Sequence, residues 1–217
     1  MILYGSSLSP FVRKVLAFAA EKGIEIELKP TGEAPGQPGA DFLAASPLRK
    51  MPALVDGDFR LADSSAIINY LDALHPEPNL IPSEPRARGR TIWFEEYGDT
   101  ILMGCGGKIF FNRVVAPRFL GREGDQSIAD AAEREELPPI LTYLESQIPE
   151  SGFLVDDRIT LADLAIASPL ANLPYMGMRI DEERYPRLGR YASAILARPS
   201  FAPWIERETA MLAKIAA

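Results

Sequence analysis

The fold is decided by residues 46–71, which read SPLRKMPALVDGDFRLADSSAIINYL. Within this stretch, Ala-Leu-Val at 53–55 and Phe-Arg-Leu-Ala at 59–62 predict two short strands, and the Asp-Gly-Asp sequence at 56–58 predicts a turn between them. Residues 64–74 predict a helix, because their apolar side chains recur on one face. The stretch therefore reads as a β-hairpin followed by a helix.

The residues before this stretch predict the rest of an α/β unit. An apolar strand over 1–4 ends at Gly5, and a helix begins near Pro10 and ends at Gly23. Polar and apolar residues alternate over 25–29, which is typical of a half-buried strand. Residues 30–40 read as a loop, and residues 41–45 as a short helix. The predicted order is β-α-β-α-β-β-α.

A change of pattern follows at HPEPNLIPSEP, residues 75–85, where four prolines prevent a continuous helix. We therefore divide the chain into an α/β domain over 1–75, a proline-rich linker over 76–85 and an all-helical domain over 86–217. The expected fold class is α/β followed by all-α.

The helical part contains two predicted irregularities and one helix start. Gly104-Cys105-Gly106-Gly107 predicts an interruption of the long helix that begins at residue 86. Pro138 and Pro139 predict a kink in the helix marked by Leu137 and Leu144. The spacing Thr160-Leu161-Ala162-Asp163 is typical of a capping box before an apolar helix.

Composition excludes several classes of protein. Of the 217 residues, 47% are hydrophobic and 24% charged, which is typical of a globular protein and not of a disordered one. The net charge of −7 disfavours a general nucleic-acid-binding protein, because the phosphate backbone needs a basic face.

The chain has one cysteine and one histidine, which excludes an internal disulfide, a CxxC redox pair and a histidine-rich metal site. His75 precedes Pro76, and the sequence has no G-x-S-x-G motif, so a Ser-His-Asp triad is disfavoured. We expect no metal. The first residues place apolar before basic side chains, unlike a secretory signal, and we expect a cytoplasmic protein.

Three short pieces of the α/β domain can carry chemistry. Ser9 stands before Pro10 at a predicted helix start, where free N–H groups and the helix dipole favour an anion. Lys50-Met51-Pro52 precedes a strand, and a cis bond before Pro52 would expose the Met51 backbone to an extended peptide. Asp63-Ser64 at the next helix start suits an amino-acid head group, through an ammonium and a carboxylate.

Each piece also has an ordinary structural interpretation. Ser9 and the Asp63-Ser64 pair can simply be N-caps, and Pro52 can be a trans proline on an edge strand.

Taken together, the pieces resemble the glutathione S-transferase superfamily, in its bacterial-type members with a serine motif. The resemblance covers essentially the whole chain. It rests on SPFVRKVLAFAAEKG (9–23), on residues 46–71, on the proline linker, on DDRITLADLAIAS (156–168) and on ARPSF (197–201). It implies a thioredoxin-like first domain, a helical second domain, a homodimer and glutathione as the co-substrate.

The resemblance also implies roles for individual residues. Ser9 matches the catalytic serine, and Met51, before the family's cis-proline at Pro52, matches the residue whose backbone pairs with the cysteinyl part of glutathione. Asp63 and Ser64 match the pair that holds the γ-glutamyl end. Other matches are less direct. Lys50 would face the glycyl carboxylate, while Thr160 and Asp163 match a structural capping box.

Some residues depart from the family pattern. Met51 replaces a common Val or Ile, and Arg49 and Asp156 stand where glycine is common. Ser6, Ser7 and Tyr4 remain rivals of Ser9. The electrophile pocket is expected between the domains. Its candidate residues are Phe11, Trp93, Tyr97 and Phe111, with Met103, Cys105 and Phe110 as further candidates, and core or dimer packing is the favoured interpretation of any single one.

The leading functional hypothesis is a glutathione transferase that activates the glutathione thiolate for attack on an apolar electrophile. One alternative is a glutathione-binding or protein-interaction module of the same fold without transferase activity. A second is a glutathione-dependent disulfide or dehydroascorbate reductase, which normally needs a cysteine at the Ser9 position.

Overall fold

A computed structural model describes residues 1–33 and 37–215 of the chain, so residues 34–36 of the predicted loop lie outside the described part. The predicted order of the first domain is confirmed. Its elements are β1 (Ile2–Tyr4), α1 (Pro10–Glu21), β2 (Glu27–Lys29), α2 (Ala40–Ala45), β3 (Ala53–Asp56), β4 (Phe59–Ala62) and α3 (Ser64–Leu74).

The strands form one mixed sheet in the order β2-β1-β3-β4. Strand β1 pairs in parallel with β2 and antiparallel with β3, and β4 completes the predicted hairpin with β3. Side chains alternate between the two faces of the sheet. Leu3 and Leu54 join the main core with α1 and α3, whereas Tyr4 and Ala53 pack with Phe42 of α2 on the opposite face.

The second domain is helical, as predicted. Its elements are α4 (Pro85–Glu96), α5 (Met103–Phe110), α6 (Ala116–Phe119), α7 (Gln126–Ala131), α8 (Leu137–Gln147), α9 (Leu161–Leu170), α10 (Pro186–Leu196) and α11 (Ala202–Ile215). Short π-helical segments at Tyr97–Leu102, Phe111–Val115 and Ala132–Glu136 join consecutive helices, and a 3₁₀ turn spans Pro174–Met176. Helix α9 is buried over its whole length and forms the centre of this domain.

The predicted interruption at Gly104–Gly107 is wrong, because these residues lie inside α5. A glycine costs a helix only about 1 kcal/mol relative to alanine, and burial of Cys105 and Ile109 supports the helix here. The real irregularities are the π-helical segments on either side. In the first of them, Gly98 packs so closely on α9 that an added Cβ would lie 2.6 Å from the Ala165 carbonyl oxygen.

The two prolines of α8 stand in its first turn and leave the helix intact. The irregularity predicted for them occurs one turn earlier, in the π-helical segment Ala132–Glu136. The predicted helix start at Thr160 is confirmed, because Thr160 and Asp163 form a capping box in which Asp163 accepts the Thr160 N–H at 2.9 Å.

The segment between the domains is held to both of them. The Lys22 ammonium at the end of α1 donates to the carbonyl oxygens of His75 at 2.7 Å and Pro78 at 2.8 Å. The Leu80 carbonyl oxygen accepts the N–H of Leu161, the first residue of α9. The boundaries at residues 75 and 85 stay a prediction. Across residues 1–33 and 37–215, no helix has the length and apolar character that crossing a membrane requires.

Candidate functional site

The register of the sheet brings the three predicted pieces to one end of it. Tyr4 of β1 lies opposite Ala53 of β3, and Ala53 lies opposite Ala62 of β4. The residues that follow β1, precede β3 and follow β4 therefore share one edge. A Cβ added to Gly5 would lie 3.5 Å from the Met51 Cβ, so the β1–α1 loop and the Met51-Pro52 segment are in contact.

Ser9 occupies the N-cap position of α1, but its side chain does not cap the helix. Its backbone N–H donates to the Ser6 carbonyl at 2.9 Å, and its own carbonyl accepts the Arg13 N–H at 2.9 Å. The hydroxyl makes no hydrogen bond to any residue that the structure describes. A half-buried hydroxyl at a helix N-terminus is thus without a protein partner among the described residues, which the simple N-cap interpretation does not account for.

The rival hydroxyls lie nearby in different settings. Ser6 and Ser7 are half-buried in the turn before Ser9, and neither stands at the N-terminus of a helix. The Tyr4 ring is buried against Phe42, with ring centroids 6.3 Å apart, on the α2 face of the sheet. Among these four residues, Ser9 alone stands at a helix start.

The peptide bond between Met51 and Pro52 is cis, as the second piece required. Ser46 holds the preceding residue, because its hydroxyl donates to the Lys50 carbonyl at 2.7 Å and accepts the Lys50 N–H at 3.0 Å. Within the described residues, the Met51 N–H and carbonyl have no hydrogen-bond partner. The Lys50 side chain is exposed beside them. This backbone edge is available to an extended peptide.

Asp63 begins α3 in a conformation that L-residues rarely adopt, with φ 82°. One carboxylate oxygen accepts the N–H groups of Ser65 and Ala66, each at 3.0 Å. The other oxygen takes no hydrogen bond from the described residues, and the side chain is exposed. Such backbone strain costs about 1–3 kcal/mol and concentrates at functional sites. Beside it, Ser64 is buried.

Two buried cations of α1 were missed by the sequence analysis. Arg13 and Lys14 are 0% and 1% exposed, and each binds acidic residues of the helical domain. The Lys14 ammonium lies 3.1 Å from Glu95 Oε1 and 2.5 Å from Asp99 Oδ2. Burial raises the pKa of Asp99 above its usual value, although the neighbouring Lys14 opposes this.

Arg13 forms the second group, with Glu208 of α11. Its guanidinium donates to the two Glu208 carboxylate oxygens at 3.1 and 2.6 Å, and Glu208 is itself 1% exposed. The signal in the sequence was an Arg-Lys pair inside the apolar stripe PFVRKVLAFAA, since cations in such a position need buried partners. The identity of those partners depends on packing.

Four of the predicted electrophile-pocket residues, Phe11, Trp93, Tyr97 and Phe111, do not form one group. Trp93 donates from Nε1 to the Tyr143 hydroxyl at 3.0 Å, and the Tyr97 ring lies 5.0 Å from the Tyr143 ring. Burial, with Tyr143 as a second cause, raises the pKa of Tyr97 to about 12. Phe111 is 40% exposed beneath the Arg122 guanidinium, and Phe11 is half-buried on α1.

A small apolar cavity lies elsewhere, between α5 and α9 of the helical domain. Asn172, which follows α9, belongs to its wall and donates from Nδ2 to the Leu8 carbonyl oxygen at 3.1 Å. The cavity is lined by Leu102, Met103, Gly106, Ile109, Phe110, Leu137, Pro169, Leu170, Asn172, Leu173 and Met176. Met103 and Phe110, two of the candidates named from the sequence, line it, whereas Phe11, Trp93, Tyr97 and Phe111 do not. The part of all of them in an electrophile pocket stays a prediction.

The single cysteine, Cys105, is buried in the helical domain and is not one of the residues at the sheet end. Cys105 is 2% exposed inside α5, and burial raises the pKa of its thiol to about 11. A raised pKa disfavours the reactive thiolate. Over residues 1–33 and 37–215, no group of three or more His, Cys, Asp or Glu side chains is arranged to hold a metal ion.

Comparison with known proteins gives consistent matches. The family described as glutathione S-transferase, N-terminal domain, matches residues 3–79, and the glutathione S-transferase C-terminal domain matches residues 114–208. A glutathione S-transferase of Hyoscyamus muticus is 30% identical over 212 residues, which cover 95% of this chain and 98% of that protein. A stringent starvation protein A homolog of Coxiella burnetii is 29% identical over 201 residues, which cover 93% and 89%.

Among solved structures, human glutathione transferase theta-2 in complex with glutathione and an unknown ligand superposes with a TM-score of 0.84. It is 28% identical to this chain, and the match covers 99% of this chain and 90% of that one. The family matches fall on both domains, and the first of them contains all three pieces at the sheet edge. This chain belongs to the glutathione S-transferase family.

Proposed function

We propose that the protein is a glutathione transferase in which Ser9 stabilises the glutathione thiolate for attack on an apolar electrophile. The observation that carries the proposal is the uncommitted Ser9 hydroxyl at the start of α1, at the same sheet edge as Met51-Pro52 and Asp63. Attack by the thiolate sulfur forms a carbon–sulfur bond. The electrons displaced from the electrophile leave with a departing group or add to a conjugated system.

The energetics of thiol activation fit this site. A thiol with a pKa of about 8.5 needs roughly 2.7 kcal/mol of thiolate stabilisation for a decrease of about two units. A hydrogen bond from a hydroxyl to a charged sulfur contributes about 1.5–3 kcal/mol, and the N-terminus of α1 adds about 0.3–1 kcal/mol. No general base is required, which agrees with a chain that has one histidine.

The peptide itself would be held along the sheet edge. Its cysteinyl part pairs with the free N–H and carbonyl of Met51, beside Pro52. Its γ-glutamyl ammonium binds the free oxygen of Asp63, and its α-carboxylate binds Ser64 at the start of α3. The exposed Lys50 ammonium faces the glycyl carboxylate.

The apolar cavity between α5 and α9 has a volume of about 10 Å³, room for about one water molecule, so it can take an electrophile only if its wall moves apart. Its wall is mostly apolar and includes Met103, Phe110 and Met176, whose flexible or aromatic side chains adapt to different apolar groups. The homodimer and a detoxifying role, expected from the family, and the cytoplasmic location, expected from the sequence itself, belong to the same proposal.

The two alternatives differ in support. A glutathione-dependent reductase is disfavoured, because the one cysteine is buried and its pKa is raised. A binding or interaction module without transferase activity has one observation in its favour, which is the 29% identity to a relative named stringent starvation protein A homolog.

The test is a pH titration of thiolate absorbance with bound glutathione, for wild type, Ser9→Ala and the neighbouring control Ser7→Ala. We expect the thiol pKa to fall by about two units in wild type and Ser7→Ala, and to return to about 8.5 in Ser9→Ala. A shift lost in Ser7→Ala alone would contradict the assignment of Ser9. Binding with an unshifted thiol would leave the binding module, and no binding would overturn the proposed function.

A further inference from the structure

Two residues of the helical domain hold the peptide groups on either side of Ser9. The Ser168 hydroxyl in α9 donates to the Pro10 carbonyl oxygen at 2.7 Å. The Asn172 amide donates to the Leu8 carbonyl oxygen at 3.1 Å. Both side chains are almost fully buried, at 0% and 3% exposed. The backbone around Ser9 is therefore attached from both sides to a domain that begins far along the chain.

Arg13 fixes the orientation of the Asn172 side chain. The Arg13 guanidinium donates to Asn172 Oδ1 at 2.8 Å and to the Ser168 carbonyl oxygen at 2.6 Å. Because a guanidinium has only donors, the oxygen of the Asn172 amide must face it, and the NH₂ group must face Leu8. One arginine thus sets the direction of a hydrogen bond to the Ser9 loop.

The last helix of the chain completes this arrangement. Glu208 of α11 accepts two hydrogen bonds from Arg13, and the Tyr175 hydroxyl donates to Glu208 Oε2 at 2.9 Å. Arg13 and Glu208 are both fully enclosed. A continuous path of buried hydrogen bonds therefore runs from α11 through Arg13 and Asn172 to the residue before Ser9.

We propose that Ser168 and Asn172 are positioning residues for Ser9, so that docking of the helical domain on α1 sets how strongly the Ser9 hydroxyl stabilises the glutathione thiolate. This inference rests on the proposed function of Ser9. Hydrogen-bond strength falls steeply with distance and angle, so a displaced Ser9 backbone weakens the contact even when its hydroxyl can still rotate.

The chain offers a matched control at the other end of α1. The Ser200 hydroxyl, 3% exposed, donates to Glu21 Oε1 at 2.6 Å, and it too joins the helical domain to α1. Glu21 is the last residue of α1 and lies about 18 Å along the helix axis from Ser9, at 1.5 Å per residue. Ser168→Ala and Ser200→Ala each remove one buried hydroxyl that joins the helical domain to α1, one near Ser9 and one far from it.

The experiment measures the thiol pKa of bound glutathione, the pH profile of kcat, the KM for glutathione and thermal unfolding of the full chain. In Ser168→Ala we expect a raised thiol pKa, with kcat near pH 7 lowered about three- to tenfold and the KM unchanged. This is less than the roughly 100-fold cost of a full 1 Å misplacement. Ser200→Ala is expected to lower the unfolding temperature similarly while it keeps the wild-type pH profile.

The outcomes distinguish failure of the positioning role of Ser168 from failure of the proposed function of Ser9. If Ser168→Ala and Ser200→Ala keep the same wild-type pH profile, Ser168 is merely structural and the inference is overturned. If wild type itself shows no lowered thiol pKa, the proposed function fails and the inference fails with it. Should Ser168→Ala not fold, Ser168→Cys keeps a weak donor of similar shape. It is expected to shift the thiol pKa in the same direction but by less, and an unshifted profile would again overturn the inference.

Discussion

Helices α1 and α9 both begin at a hydroxyl residue, but the two hydroxyls are used differently. At α9, the Thr160 hydroxyl donates to Asp163 Oδ2 at 3.2 Å, and Asp163 also accepts the N–H groups of Thr160 and Leu154 at 2.9 Å. All of these groups are buried. At α1, the Ser9 hydroxyl is half-buried and has no partner among the described residues.

The difference separates a helix start whose hydroxyl is bonded within a buried network from one whose hydroxyl has no partner among the described residues. A satisfied buried network contributes to stability and has no donor left over. Helix α3 is intermediate, because Asp63 uses one carboxylate oxygen to cap the helix and leaves the other free. The residue type at an N-cap therefore does not show whether its side chain is used to cap the helix, whereas the hydrogen bonds of that side chain do.

The largest expected effect concerns the buried helix start and its response to pH. Burial raises the pKa of Asp163 from 3.8 to about 6. The group's contribution to stability is therefore fully present below about pH 4 and is lost as the pH rises through about 6. At 1.36 kcal/mol per unit, the destabilisation by Asp163→Asn should be smaller at pH 7 than at pH 4 by about 2–3 kcal/mol. Urea unfolding of both proteins across this range measures it.

Asp125 provides a control, because its pKa is shifted in the opposite direction from that of Asp163. It caps α7 at the surface, and hydrogen bonds from the Ser127 hydroxyl and the Ile128 N–H lower its pKa. Its contribution is present above its unfolded pKa and is lost as the pH falls through the lower folded pKa, so the effect of Asp125→Asn should grow as the pH rises. If the destabilisation by Asp163→Asn and by Asp125→Asn changed with pH in the same direction, the raised pKa of Asp163 would be contradicted.

A smaller effect is expected at the intermediate helix start. Asp63→Asn keeps an oxygen to cap α3 but removes the charge that would bind an ammonium. We expect the dissociation constant for glutathione to increase by about tenfold, which corresponds to about 1.4 kcal/mol. Calorimetric titration measures it, with Asp58→Asn in the exposed hairpin turn as the control. Equal affinity for Asp63→Asn and wild type would remove Asp63 from the binding site.

The smallest effect compares the two hydroxyls directly. Thr160→Ala should lower the free energy of unfolding by about 1 kcal/mol, which is typical for loss of a cap. Ser9→Ala should change it by less than about 0.5 kcal/mol, because its hydroxyl makes no bond to lose. Chemical denaturation of the two variants is the measurement. Similar losses would mean that Ser9 caps α1 in solution, and the contrast between the two helix starts would disappear.

Much of the first domain could be predicted because its signals are local. The hairpin over 53–62 and the capping box at Thr160 depend on residues a few positions apart, and both are confirmed. The glycines at 104–107 misled the prediction, because local propensity disfavours a helix by an amount that tertiary burial outweighs.

The candidate site was predictable only in part, because local signals identify single residues while tertiary packing decides which of them come together. Ser9, Met51 and Asp63 were named from their own neighbourhoods, and the strand register then placed their segments at one edge of the sheet. The aromatic residues proposed for the electrophile pocket were chosen by type. Packing placed Trp93 and Tyr97 against Tyr143, and Phe111 beneath the Arg122 guanidinium.

By itself, the sequence determined the order of the elements in the first domain, the helix starts at Ser9, Asp63 and Thr160 and the absence of a disulfide pair, because these follow from residue type and short spacing. The tertiary structure decided which hydroxyl remained free and which partners Arg13 and Lys14 found. Those partners, Glu95, Asp99, Asn172 and Glu208, lie more than 80 residues away along the chain. A buried charge must be paired, but the chain's fold alone selects the group that comes within hydrogen-bond distance.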